Sequence, residues 1–190
     1  MKSEILNIRN IKRIVLTGAE STGKTTLTKQ LADYYHTVWV PEYAREYVEK
    51  LNRPYGYKDI VQIAKKQIVS ENKYLRKTNK YLFLDTALII IKIWFSYKYK
   101  RVPEWLLLRI RENKYDLHLL CDSDIPWIDE PVRENQELRK YLSDLYLKEL
   151  ENNNFPYCVI AGKGEIRLQK AIKSIDQYFE RKLIPHEVNN

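Results

Sequence analysis

Between Gly18 and Thr25 the chain reads G-A-E-S-T-G-K-T, set between two stretches of different period. Before it, Ile11–Thr17 (I-K-R-I-V-L-T) is a short β-branched apolar run, which predicts a strand. After it, Leu27, Leu31 and the Tyr34/Tyr35 pair recur at helical spacing. Strand, Gly-rich turn and helix, in that order, make this pattern a phosphate-binding P-loop. Backbone N–H groups curl around an anion there, and the new helix turns its positive end toward it. Nucleotide contacts are therefore expected from Gly18, Glu20, Ser21, Thr22, Gly23, Lys24, Thr25 and Thr26. Lys24 would reach the β- and γ-phosphates, and the Thr25 hydroxyl would ligate Mg²⁺. ATP and Mg²⁺ are the cofactors this predicts.

Four more strands are expected, at Thr37–Val40, Tyr81–Leu84, Asp116–Cys121 and Tyr157–Ala161. Helices are expected at Lys24–Tyr35, Tyr43–Leu51, Lys58–Lys77, Thr86–Tyr97, Glu104–Asn113, Glu134–Glu151 and Glu165–Phe179. Short apolar strands alternating with helices predict an α/β fold: a five-stranded parallel sheet with helices on both faces. Neither a repeat nor a linker interrupts the pattern, so residues 1–190 read as a single P-loop kinase domain.

Composition narrows the function classes. Of 190 residues, 44% are hydrophobic and 31% charged, ordinary for a globular chain. The net charge of +8 permits an anionic ligand. The 33 basic residues are spread among 25 acidic ones without a dense block, so no nucleic-acid partner is expected. The greasiest stretch, Tyr81–Phe95, is broken by Asp85 and Lys92 and is too short for a membrane span. The N-terminus shows no leader pattern. Cys121 and Cys158 sit in separate apolar runs and suit free thiols in a reducing cytoplasm.

In such a sheet, ligands bind beyond the carboxyl ends of the strands. Y-L-F-L-D ends in Asp85, which suits a Mg²⁺-organising acid and equally a helix N-cap. Glu42 and Arg45, after the second strand, share a helix face with Glu46. Glu42 there would accept a substrate hydroxyl proton and Arg45 would bind substrate or phosphate; an intrahelical ion pair fits the spacing as well. Arg133 and Arg139, after the irregular Pro126–Pro131 stretch, suit a cationic lid over the phosphates or a solvated surface. Trp127 suits stacking on a flat ring, or the core. The Gly162–Arg167 loop, with Arg167, falls where an adenine would sit.

These segments resemble a known family. G-A-E-S-T-G-K-T-T-L, P-E-Y-A-R-E-Y, F-L-D-T, Y-D-L-H-L-L, D-I-P-W and P-V-R-E-N occur in the order and spacing of the ribosylnicotinamide kinase domain of NadR-type proteins, AAA-type P-loop kinases. The resemblance runs from about Ile11 to Phe179. It implies a nucleoside-monophosphate-kinase-like P-loop NTPase fold, ATP·Mg²⁺ as donor, nicotinamide riboside as small-molecule acceptor and nicotinamide mononucleotide as product. NadR-type proteins carry further domains for which this chain is expected to be too short. One position departs: the family reads D-T-D where this chain has Asp85-Thr86-Ala87. A kinase of another nucleoside or of a vitamin such as thiamine, or a regulatory ATP-binding module, remains open on these residues. The expected catalytic set is Lys24, Glu42, Asp85 and Arg133. Glu42 leads as base with Asp85 as fallback, and Glu42, Arg45, Asp85 and Trp127 meet the acceptor. Ala87, expected in the first turn of a helix beginning at Thr86, would lie at the mouth of the site and tolerate aspartate.

Overall fold

The computed structural model describes residues 10–78, 80–113, 115–129 and 136–183, the side chains of 182 and 183 excepted. Among these, five strands form one all-parallel sheet: β1 (Lys12–Thr17), β2 (Trp39–Val40), β3 (Tyr81–Asp85), β4 (Leu117–Cys121) and β5 (Tyr157–Ile160), in spatial order β2-β3-β1-β4-β5. The helices are α1 (Lys24–Tyr34), α2 (Tyr43–Glu49), α3 (Tyr57–Leu75), α4 (Leu88–Tyr99), α5 (Glu104–Glu112), α6 (Arg139–Asn152) and α7 (Gly164–Leu183). No helix among the described residues is long and apolar enough to cross a membrane.

Alternation along each strand feeds two cores. Ile14 and Leu16 of β1 join Phe83, Leu117 and Leu119 in a layer closed by Leu27 and Leu31 of α1 and Ile172 and Ile175 of α7. Val15, between them, points the other way, to Leu82, Leu84 and Leu120, Ile89 and Ile90 of α4, and Leu142 and Tyr146 of α6. α4 is apolar nearly all round because it serves two cores. Ile89, Ile90 and Ile93 face the sheet, while Leu88, Ile91 and Phe95 pack on Ile60 and Ile63 of α3 and Leu106 of α5.

The register aligns the strand ends. Leu16 pairs with Asp85, Thr17 with Leu120, and Cys121 with Ile160. All five strands therefore release their loops at one rim of the sheet, with β1 at its centre.

Two helix starts differ from expectation by more than one residue. α4 begins at Leu88, because Thr86 adopts φ +82° and its N–H donates to the Leu16 carbonyl at 3.3 Å. A β-branched residue in that region is strained, so the chain leaves β3 through a hinge and not directly into a helix. Ala87 becomes the N-cap of α4 and is wholly buried in the core with Ile90, Leu120 and Tyr146. It is thus not at the mouth of the site. α6 starts at Arg139, following a turn over 136–138.

Candidate active site

The rim gathers a cavity of about 260 Å³ above β1. One wall is the P-loop: Gly18, Glu20, Ser21, Thr22, Gly23, Lys24, Thr25 and Thr26 all line it, as the pattern predicts. The loop is crowded from behind. A Cβ on Gly18 would stand 2.8 Å from the Cys121 carbonyl oxygen, so β4 itself dictates glycine there. Gly23, at φ +74°, caps α1 from the left-handed region and lets the helix begin at Lys24. Lys24 Nζ donates to the Ala19 carbonyl at 2.7 Å, and the Thr22 hydroxyl donates to the same oxygen at 2.8 Å.

Glu42 and Arg45, from the N-terminus of α2, line the same cavity. Glu42 accepts the Thr86 hydroxyl at 3.3 Å, so the hinge after β3 holds the acid after β2. Asp85 lies beside them, 1% exposed. Its Oδ2 accepts the Thr25 hydroxyl at 2.6 Å. Its Oδ1 is buried and has no hydrogen-bond partner among the described residues. Removal from water raises the pKa of both carboxyls above the ordinary carboxylate range. Lys24 and Arg45 act against that rise on each, and Asp85 adds to it on Glu42. The three clusters singled out after β1, β2 and β3 are thus brought into electrostatic contact.

That orphaned oxygen tests the fit of a divalent cation. A hard cation takes oxygen ligands, and the Asp85 carboxylate and Thr25 hydroxyl are such a pair. The described residues hold no cluster of three or more His, Cys, Asp or Glu, so any Mg²⁺ here would take few ligands from the protein and the rest from phosphate oxygens and water. The residues fit that use.

Two expected contacts move. Arg167 is 4% exposed. Its guanidinium is bonded to the Thr22, Asp122 and Gly162 carbonyls and to Asp124, so it stands behind the P-loop and not against an adenine. Trp127 donates its Nε1 to Asp129 at 2.6 Å and is no part of the cavity wall. Arg139 likewise donates to the Ser21 and Ile125 carbonyls. Arg133 lies outside the described residues.

The flat surfaces of the cavity come from residues the sequence reading passed over: Tyr55, Trp94 and Tyr146. Tyr55 and Trp94 stack at 6.3 Å between centroids and 28° between planes. Asp59 fixes the turn that carries Tyr55. It accepts Arg53 Nη1 and Nη2 at 2.7 and 2.9 Å, the Gly56 N–H at 2.7 Å and the Tyr47 hydroxyl at 2.9 Å. A proline–aromatic pair with an acid four residues after the aromatic (P-Y-G-Y-K-D) was the available signal.

Comparisons with known proteins bear on the family and the fold. The model of the AAA domain family (AAA_28) matches residues 13–167. The chain is 27% identical over 156 residues to the trifunctional NAD biosynthesis/regulator protein NadR of Escherichia coli (strain K12), a match covering 77% of this chain and 37% of that protein. It spans just over a third of the length of such relatives. Among solved structures, NadR protein in complex with NR superposes with a TM-score of 0.79 at 21% identity, over 92% of this chain and 52% of that one. Thymidylate kinase from Ehrlichia chaffeensis superposes with a TM-score of 0.63 at 16% identity, over 87% of this chain and 99% of that one. These superpositions give the fold, that of P-loop kinases.

Proposed function

This chain belongs to the AAA domain family, and on that premise we propose that it is an ATP- and Mg²⁺-dependent kinase of a small metabolite. The leading acceptor is nicotinamide riboside, giving nicotinamide mononucleotide for NAD salvage. The observation that carries the reading is that Glu42 and Arg45 line one cavity with the P-loop, with Asp85 bonded to Thr25. A phosphate cradle alone serves any NTPase. A proton acceptor facing it serves transfer to an alcohol. The relatives, a trifunctional NAD biosynthesis/regulator protein and a NadR protein in complex with NR, support the choice of acceptor.

MgATP, when bound, supplies the phosphoryl group and neutralises its developing charge. The P-loop N–H groups and Lys24 orient the β- and γ-phosphates. Thr25 and Asp85 offer the oxygens for the cation. Glu42 receives the acceptor proton, and burial raises its pKa, which makes the carboxylate a stronger proton acceptor than a free one. Asp85 is the weaker base because its Oδ2 is engaged by Thr25. Arg45 faces the same space and binds the acceptor or the moving phosphoryl group. Arg133 is proposed as a lid cation from its sequence context alone. The free thiols of Cys121 and Cys158 suit a reducing compartment.

A second reading, a different acceptor, draws on the thymidylate kinase that shares this fold; Ala87, buried in the core, does not bear on it. The test is incubation with MgATP and single acceptors (nicotinamide riboside, other nucleosides, thiamine), with products read by mass spectrometry. Phosphorylated nicotinamide riboside is the expected product. ATP hydrolysis that no acceptor diverts would overturn the kinase reading in favour of a regulatory ATPase.

A further inference from the structure

A P-loop that turns its N–H groups inward turns its carbonyls outward, and buried carbonyls need partners. Here three of them meet cations. Lys24 Nζ holds the Ala19 carbonyl at 2.7 Å, Arg139 Nη2 holds the Ser21 carbonyl at 2.7 Å, and Arg167 Nη1 holds the Thr22 carbonyl. Lys24 belongs to the P-loop pattern itself. The two arginines come from elsewhere, the first residue of α6 and the first turn of α7.

Each arginine also ties the P-loop to a second strand-end loop. Arg139 Nη1 donates to the Ile125 carbonyl at 2.7 Å, and the neighbouring Ile128 N–H donates to the Ser21 hydroxyl at 2.9 Å. Arg167 reaches two loops: Nη2 donates to the Asp122 carbonyl at 3.0 Å and pairs with Asp124 Oδ1, while Nε donates to the Gly162 carbonyl. Asp124 Oδ2 accepts the Gly162 N–H, so the acid fixes both the guanidinium and the loop after β5. The braced segment needs holding. Ser21 sits at φ +56°, where a residue with a Cβ is strained, and the bracing falls on its own carbonyl and the next.

We propose that Arg167 and Arg139 are positioning residues that hold the Ser21 and Thr22 carbonyls outward, so that the P-loop is preset for a nucleotide's phosphates before any arrives, with Asp124 fixing Arg167. The inference rests on the reading of this loop as the nucleotide site. It also explains the residue type. A lysine nitrogen at one point cannot reach carbonyls of three separate loops, whereas a guanidinium fork does.

The test is MgADP binding by calorimetry on the full chain, with nucleotide-free melting of each variant in parallel. Arg167→Lys is expected to weaken MgADP about tenfold or more, and Asp124→Asn by a few-fold, since two to three hydrogen bonds are lost in the first and one charge partner in the second. The acceptor's KM should stay within about twofold, because the brace lies on the nucleotide side. If Arg167→Lys melts earlier but binds MgADP as the parent does, Arg167 is only structural and the proposal falls. Should that variant not fold, Arg139→Gln, at a partly exposed position, decides: a loss of about fivefold is expected from one missing charged bond, and an unchanged affinity overturns the proposal. Absence of MgADP binding by the unaltered protein would instead sink the kinase reading itself.

Discussion

The two ends of the sheet each bury an acid, and they treat it in opposite ways. Below the N-terminal end, Glu71 is 3% exposed and both its oxygens are engaged. The Tyr115 hydroxyl lies 3.0 Å from each, and Asn113 Nδ2 donates to Oε2 at 3.3 Å. Arg13 stands over the Tyr115 ring at 5.2 Å and bonds Asn113. At the C-terminal end, Asp85 has one oxygen on Thr25 and the other on nothing among the described residues. Burial raises the pKa of both acids. A raised pKa therefore does not separate a structural acid from a functional one; an unfilled lone pair beside Lys24 and Thr25 does. Orphaned atoms are not enough either. His118 Nε2 is buried without a partner among the described residues, but burial holds that ring neutral, with a pKa of about 3, stacked on Phe155.

The sharpest way to break this contrast is Lys24→Ala. Among the described residues its amine donates to the Ala19 carbonyl and stands as a cation near the buried Glu42 and Asp85, so the fold should persist with a modest shift in melting. Turnover should fall ~10²–10³-fold, the scale of losing one donor to developing charge. Steady-state kinetics with near-parental turnover would remove the P-loop mechanism.

Next comes a paired substitution. Glu42→Gln should lower kcat ~10²-fold with nucleotide affinity little changed, as general-base catalysis predicts. Glu71→Gln should leave kcat within about twofold, since it touches neither ligand nor site. Equal losses in the two variants would erase the distinction between the ends.

Stability against pH should reverse the pair. A free glutamate titrates near 4.5, and burial raises Glu71 to about 7. Between those values the folded state binds the extra proton, so stability falls as pH rises through that window, by up to about 3 kcal/mol from this group. Glu42 and Asp85, shifted upward as well, add slope of the same sign. His118, held neutral in the fold, adds slope of the opposite sign up to about pH 6.5, so the comparison is what isolates Glu71: from pH 4.5 to 7 the melting temperature of the parent should fall relative to that of Glu71→Gln. Parallel profiles would show that Glu71 is not the group responsible.

The smallest expected effect is at Ala87. Its side chain is wholly buried, so Ala87→Asp should cost about 1–3 kcal/mol of stability, eased by its N-cap position on α4. It should not raise kcat/KM for nicotinamide riboside. A gain without a melting penalty would place residue 87 at the site after all.

Strand ends were legible because parallel sheets bury both faces, so apolar runs such as Y-L-F-L stop where the rim begins. Asp85, Glu42 and Arg45 followed from that rule. Trp94 did not. It sits in a helix that is apolar on both faces, and periodicity cannot say which aromatic looks into a cavity. Trp127, beside a proline, was the more visible candidate, yet its ring bonds Asp129. Arg167 has the chemistry of an anion binder; only the fold shows its donors turned to carbonyls. The start of α4 was misplaced because no propensity anticipates a threonine at φ +82°.

The claim that Asp85 is an acid awaiting a cation is tested most directly by ADP titration with and without Mg²⁺, in the parent and in Asp85→Asn. The parent should gain about tenfold or more in affinity with Mg²⁺, while the variant keeps the Mg²⁺-free affinity and gains no more than about twofold. A variant that retains the full Mg²⁺ gain would contradict the account.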